Sequence, residues 1–369
     1  MAWVEQLPSG SWRGMFRDAS GRKRSSGVSK LGKRDALTRA QAAEVGDRGK
    51  TTGAPVSDLT WGEWRPTWMS QRTVAAGTLI EDEKRVERHV EPRWGSVKLV
   101  DIRRADVQRW VSELSASGLS PSTVRKIHAV LSASMSAAAR MDLVETNPCS
   151  DVAKPALPPT EEHWLSDDEI EALRDTIDER HLFTYELLIG TGLRWGECAG
   201  LHWTHVDFDR STIEVVWAAD RKAGGFKAPK SNQKRTVPVS ERLLGLLSDR
   251  LEEMGWGEPP DANYVGGRRP PHGLVLAGKR GGGAPDPKPF SMALSAAGRA
   301  ATVGEGARKR KVGAVRVHDL RHSYATRLVR RGVSILAVSK LMGHSSVVVT
   351  QRYASAGDTE WDAVRNALG

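Results

Sequence analysis

The sequence predicts a mainly α chain with small β elements, an α+β protein in three blocks: a small sheet-plus-helix unit, an all-helical unit and a mixed α/β unit. Three observations predict it. Apolar residues recur at helical spacing through most of the chain after residue 58. Runs with strand character are short and confined to the first thirty residues and to 212–239, with one more at 274–276. Breaker-rich stretches at 46–57 and 154–162 divide the chain.

In the first block, 1–50, short segments around Trp3-Val4, Ser11 to Phe16 and Val28 are punctuated by Pro8, Gly10, Gly21 and Gly27. That spacing suits a sheet of two or three strands, followed by an alanine-rich helix over 33–45, with Trp3, Trp12 and Phe16 as candidate core. The block holds eleven Lys and Arg against five Asp and Glu. A solvated strand face accounts for Arg13, Arg17, Arg22, Lys23 and Arg24; so does a sheet that lays basic side chains in a DNA groove, the reading we favour.

The second block, 58–152, reads as wholly helical. Its clearest helix opens at Ser120-Pro121: serine caps free N–H groups, and proline suits the first turn because its missing N–H would be unpaired there. Val124, Ile127, Leu131 and Met135 mark its core face. An earlier helix, 104–114, carries Val107, Trp110, Val111 and Leu114 on one side. Arg103, Arg104, Arg109, Arg125 and Lys126 line the unit as solvated charges or, taken as a set, as phosphate contacts.

The third block, 163–369, opens with Ser166-Asp167-Asp168-Glu169, a cap followed by an acidic first turn. Helices over 167–177 and 180–190 follow, then strands at 212–216 and 236–239, and a helix from Ser240 to 254. Residues 255–288 are dense in Gly and Pro and read as a long surface loop with a strand at Leu274-Val275-Leu276. The remainder returns to helix.

Composition bounds the function. A net charge of +10 points to a polyanionic partner, usually nucleic acid. A hydrophobic share of 39% supports folded cores and excludes wholesale disorder. No apolar run is long enough to span a bilayer, and Met1-Ala2-Trp3-Val4-Glu5 lacks the regions of a signal peptide. Cys149 and Cys198 are too few for a disulfide framework or a zinc ribbon, so a cytoplasmic setting is expected.

Five features of the third block carry chemistry. In Thr191-Gly192-Leu193-Arg194-Trp195-Gly196-Glu197, a glycine turn feeds a helix whose first turn holds Arg194, and Glu197 shares its face. Lys230 lies between two β-prone segments, near the tip of a hairpin, where lysines are usually just solvated. In His318-Asp319-Leu320-Arg321-His322, His318 and Arg321 project from one side of a helix start, and Gly332 is its C-terminal stop. His318 and His322 could pair on a metal, but no third ligand cluster accompanies them, so no metal or cofactor is expected. Gly343-His344 and Tyr353 complete the set; alone, each has an ordinary structural reading.

Together these residues make a phosphoryl-transfer site. Two arginines can hold the non-bridging oxygens of a phosphodiester and offset the charge that grows in the transition state. Tyrosine supplies a nucleophile, mostly protonated at neutral pH with a pKa of about 10, so it benefits from a nearby base such as histidine. Lysine can protonate the departing oxygen.

With its ordered motifs this sequence resembles the tyrosine recombinase (phage integrase) family, most strongly over 186–356; Tyr353 stands nine residues after His344, the family spacing. The resemblance implies that Arg194 and Arg321 clamp the phosphate and that His318 assists proton transfer with the nucleophile. It implies that His344 hydrogen-bonds the scissile phosphate, Lys230 is the general acid, and Tyr353 forms a 3′-phosphotyrosyl link. Arg235, five residues after Lys230, fits the pattern, and Glu197 resembles a buttress. It further implies an arm-type DNA-binding domain over 1–50, a helical core-binding domain over 58–152, and a catalytic domain over 163–369 of the tyrosine recombinase type. The implied partners are double-stranded DNA with core-type and arm-type attachment sites, three further copies of the chain in a tetramer, and DNA-bending or directionality factors. The tail after Tyr353, with Trp361, Val364 and Leu368 on one side, covers its own domain or docks on a neighbouring subunit. Two other readings are relaxation of supercoils in the manner of a type IB topoisomerase, and a catalytically idle architectural DNA binder, which would have no need of all six site residues.

Overall fold

The computed structural model describes residues 2–17, 22–50, 58–158, 163–229, 234–277, 283–344, 346 and 350, with backbone alone over 45–50. The chain forms two compact units, Met1–Pro158 and Pro159–Gly369.

The first unit begins with an antiparallel sheet, β1 (Trp3–Gln6), β2 (Trp12–Arg17) and β3 (Lys23–Ser29), with β2 in the middle. The helix α1 (Lys33–Lys50) packs on it and runs five residues beyond the predicted end. The core of this piece is made of small residues. Ala36, Ala40 and Phe16 are buried, and a Cβ at Gly14 would collide with the Ala36 carbonyl and the Ser26 hydroxyl, so glycine is what lets helix and sheet approach. Trp3 and Trp12, predicted as core, are half-buried, with Lys23 and Lys33 over their rings.

The rest of the unit is helical, as its periodicity predicts. In α2 (Trp61–Ser70), Thr60 and Glu63 form a reciprocal cap, and Trp61, Trp64 and Trp68 share the buried face. α3 (Ala76–Arg85) runs through a π turn at Val86–Val90 into α4 (Glu91–Trp94); Pro92 has no N–H to give to the ladder there. Then come α5 (Arg104–Ala116) and α6 (Pro121–Arg140), the latter capped by Ser120. Val124, Ile127, Leu131 and Met135 are fully buried, and Trp94 meets Trp110 edge to face at 5.7 Å. Burial of each such side chain contributes about 1.5–3 kcal/mol.

In the second unit, α7 (Asp167–Thr176) starts at the predicted Ser166 cap, and α8 (Glu179–Thr191) ends at Gly192 in the left-handed conformation. α9 (Trp195–Ala199) follows. The strands β4 (Val206–Asp207), β5 (Thr212–Val215) and β8 (Arg235–Pro238) form an antiparallel sheet with β5 in the middle. Between β5 and β8 the chain makes its own hairpin, β6 (Ala218–Ala219) and β7 (Gly225–Lys227).

The Gly/Pro-rich stretch is less of a surface loop than predicted. It adds β9 (Asn263–Val265) parallel to β7, and it buries Leu274, Val275 and Leu276. The predicted strand there is a single bridge from Leu274 to His202. Helices α10 (Glu241–Met254), α11 (Pro287–Ala300), α12 (Val317–Arg330) and α13 (Ile335–Met342) complete the unit, with a hairpin of β10 (Thr302–Val303) and β11 (Arg310–Lys311) before α12. The core gathers Tyr185, Leu187, Ile213, Val237, Leu247, Leu294 and Leu320. Buried Glu186 on α8 pairs with Arg174 of α7 and Arg242 of α10 and so ties three helices together.

Candidate active site

The α8 turn brings Gly192 to φ 63°, and the chain reverses into Arg194, the residue before α9. Glu197 returns to accept from the Arg194 backbone N–H at 2.9 Å and from its Nη1 at 2.9 Å. The Arg194–Glu197 contact inferred from spacing is therefore present. Glu197 is buried, and both of its oxygens also accept from Arg235: Oε2 from Nη2 at 2.6 Å and Oε1 from Nη1 at 3.1 Å. Burial works to raise the Glu197 pKa, but hydrogen bonds and charge from Arg235 and then Arg194 outweigh it and hold the carboxyl below its ordinary value.

Arg321, on the first turns of α12, is buried against the same group: its Nη1 lies 4.0 Å from Glu197 Oε2 and donates to the Gly192 carbonyl at 2.6 Å. Its Nη2 donates to the Met342 carbonyl. Arg194 Nη2 reaches the next carbonyl, Gly343, at 3.4 Å. Two arginines 127 positions apart in the chain are thus anchored on adjacent peptide groups.

His318 sits one turn before His322, with the rings edge to face at 4.5 Å. Loss of hydration, then the charges of His322, Arg321 and Arg194, push the His318 pKa down to about 4. His318 is open to solvent on one side, which screens part of this, and the ring is neutral at physiological pH. Among the described residues no cluster of three His, Cys, Asp or Glu is placed to hold a metal ion. His344 follows the left-handed Gly343 at the end of α13, and its Nδ1 bonds the buried Thr350 hydroxyl at 2.8 Å.

Arg194, Arg321 and Glu197 are brought into direct contact, with His318 electrostatically coupled to both arginines, and His344 follows Gly343, whose carbonyl holds Arg194. Lys230, Tyr353 and the tail after it lie outside the described residues. Two partners escaped the sequence reading. The Arg235–Glu197 pair joins residues 38 positions apart, and only the place of Arg235 after Lys230 hinted at it. Thr350 gave no signal beyond lying between His344 and Tyr353.

The candidate DNA-contacting residues belong to the first unit. Arg17, Arg22, Lys23 and Arg24 are exposed on β2, β3 and the residue before β3, and Arg13 is half-buried on β2. Lys126 is exposed on α6, but Arg125 donates to the Pro155 carbonyl at 3.0 Å and ties the end of the unit to that helix.

The family model described as the phage integrase family matches residues 163–360. The XerC-like tyrosine recombinase of Caldanaerobacter subterraneus subsp. tengcongensis is 27% identical over 316 residues, covering 79% of this chain and 78% of that protein. The integrase of Mycobacterium phage L5 is 24% identical, covering 87% and 81%. Among solved structures, the Tn1549 transposon integrase in complex with a circular intermediate DNA is similar, with a TM-score of 0.68 at 21% identity over 84% of this chain and all of that one. A lambda integrase tetramer bound to a Holliday junction gives 0.59 at 17% identity over 95% and 94%. At such identities these structures bear on the fold.

Proposed function

The chain belongs to the phage integrase family, and from that premise we propose that it is a site-specific recombinase that integrates or excises a phage or other mobile element through a 3′-phosphotyrosyl intermediate. The observation that carries the reading is the anchoring of Arg194 and Arg321 around buried Glu197. Guanidiniums fixed before substrate arrives need little reorganisation when charge develops on a phosphate.

In the proposed reaction Arg194 and Arg321 donate to the non-bridging oxygens of the scissile phosphate, and His344 adds a third donor. The Tyr353 oxygen attacks phosphorus as its proton passes toward neutral His318. The bond to the 5′-oxygen breaks, and Lys230 gives that oxygen a proton. The protein–DNA ester keeps the bond energy, so a 5′-hydroxyl from the partner strand can reverse the step and rejoin DNA without an external energy source. Guanidinium charge does the work that divalent ions do in other phosphoryl transfers, so the reaction is metal-independent in this reading.

Residues 163–369 would be the catalytic domain, 58–152 the core-binding domain, and 1–50 the arm-binding domain. Binding both core-type and arm-type sites as a tetramer, with bending or directionality factors, is the corresponding assembly. The lambda integrase tetramer on a Holliday junction is a relative in fold with that stoichiometry.

The test is trapping on a nicked suicide duplex that carries the attachment site, in EDTA, followed by mapping of the adduct peptide. The expected peptide contains Tyr353, and Tyr353→Phe should bind the duplex but form no adduct. An adduct that persists in Tyr353→Phe would remove the nucleophile assignment.

A further inference from the structure

The last carbonyls of an α-helix have no partner within it and carry the negative end of its dipole. At the end of α13, three consecutive carbonyls are each taken by a different arginine: Leu341 by Arg235 Nε at 2.7 Å, Met342 by Arg321 Nη2, and Gly343 by Arg194 Nη2 at 3.4 Å. Two of these arginines belong to the phosphate clamp. Arg235 does not: it comes from β8, is almost fully buried, and directs its remaining donors to both oxygens of Glu197. A Cβ at Gly343 would stand 3.1 Å from Arg235 Nη1, so the turn that leads to His344 closes directly on this side chain.

We propose that Arg235 is the positioning residue of the site: it locks Glu197 to the end of α13 and thereby fixes both phosphate-binding arginines and the Gly343–His344 turn in one register. The inference rests on the recombinase reading. Its physical content is that the Arg235 fork joins β8, α9 and α13 at one point. A single buried carboxylate faces three guanidiniums, and the two that would meet phosphate can be correctly placed only while the third stays in place.

Charge and geometry separate in two variants. Arg235→Met keeps the apolar stem and removes both charge and donors. Arg235→Lys keeps the charge but cannot span Glu197 and Leu341 together. Glu197 faces Arg194, Arg235 and Arg321, and its low pKa owes most to Arg235. At saturating suicide duplex, both variants should form adduct about 10- to 100-fold more slowly than the unaltered protein, the scale of a displaced phosphate clamp, while duplex affinity is retained. In Arg235→Met the acid limb of the rate profile should also move to higher pH, as Glu197 loses the partner that keeps it ionised; in Arg235→Lys it should stay. Hydrogen exchange of the free protein should show the end of α13 loosened in both.

Adduct formation at the original rate in Arg235→Met would overturn the role, as would slow cleavage with an unmoved acid limb, the mark of general destabilisation. Absence of adduct from the unaltered protein would overturn the recombinase reading instead, and the exchange of α13 would still show whether the mechanical tie exists.

Discussion

Glu197 and Arg235 form a buried two-pronged pair, 2.6 and 3.1 Å, between a carboxylate on a short helix and a guanidinium on a strand 38 residues later. Both side chains are nearly fully buried, so water compensates little for the loss of either partner.

Replacement of Glu197 by Gln should therefore destabilise the second unit by about 3–5 kcal/mol, the cost of leaving buried charge uncompensated. The folded pKa of Glu197 lies below its unfolded value, so the stabilisation is complete above the unfolded value and is lost as pH falls through the folded one. Urea unfolding at pH 7 and at pH 4 measures both, and a Gln variant as stable as the parent at pH 7 would show that the pair contributes nothing net.

His318 gives a second pH prediction. With its pKa near 4, the ring is unprotonated and able to accept a proton throughout the neutral range. Adduct formation should hold as the pH is lowered past 6.5, with protonation of His318 adding to that of Glu197 in the acid limb only well below that value. The unfolded chain binds a proton at this residue near 6.5 and the folded chain does not, so His318 lowers stability as pH falls between the two values. NMR titration of the ring measures its pKa directly. A midpoint at 6.5 or above would mean that neither burial nor the arginines act on it.

Gly192 links backbone shape to the position of Arg321. It has φ 63°, its carbonyl accepts from Arg321 at 2.6 Å, and a Cβ there would enter the ring of Tyr324. Gly192→Ala should lower stability by about 1–3 kcal/mol through backbone strain and also slow adduct formation, because the Arg321 anchor moves. Thermal unfolding and trapping report these separately. An alanine variant with both properties unchanged would show that the turn is not fixed by this glycine.

Much of this was legible where local chemistry decides. Ser120, Ser166 and Ser240 each accept from a backbone N–H three residues on, and each helix begins at the following residue. The stripe Val124, Ile127, Leu131, Met135 is buried as its spacing requires. What escaped depends on distant partners. Parallel pairing of Gly225–Lys227 with Asn263–Val265 places a strand inside a Gly/Pro-rich stretch that has no strand pattern of its own. Phe226 and Tyr264 stack there at 4.8 Å, and His202 bonds the Tyr264 hydroxyl at 3.0 Å, contacts that short-range periodicity does not encode. At the site, spacing gave Arg194 with Glu197, which are three residues apart, but could not give Arg235 with Glu197.

The first block provides the last prediction. Its small core of Gly14, Phe16, Ala36 and Ala40 is drawn from its own sheet and helix, and the tryptophan core of the following helices is built from residues 61–152. Removing residues 1–50 should thus leave the helical core intact. The deletion takes away exposed Arg22, Lys23 and Arg24 along with the rest of a block that holds more than half of the net charge. For every phosphate that the shortened chain no longer neutralises, the slope of log affinity against log salt should fall by about 0.9. Binding to arm-type sites should weaken with that flatter slope, while suicide cleavage at an isolated core site persists. If the truncated chain kept both its arm-site affinity and its full salt slope, the basic sheet would not be the element that meets DNA.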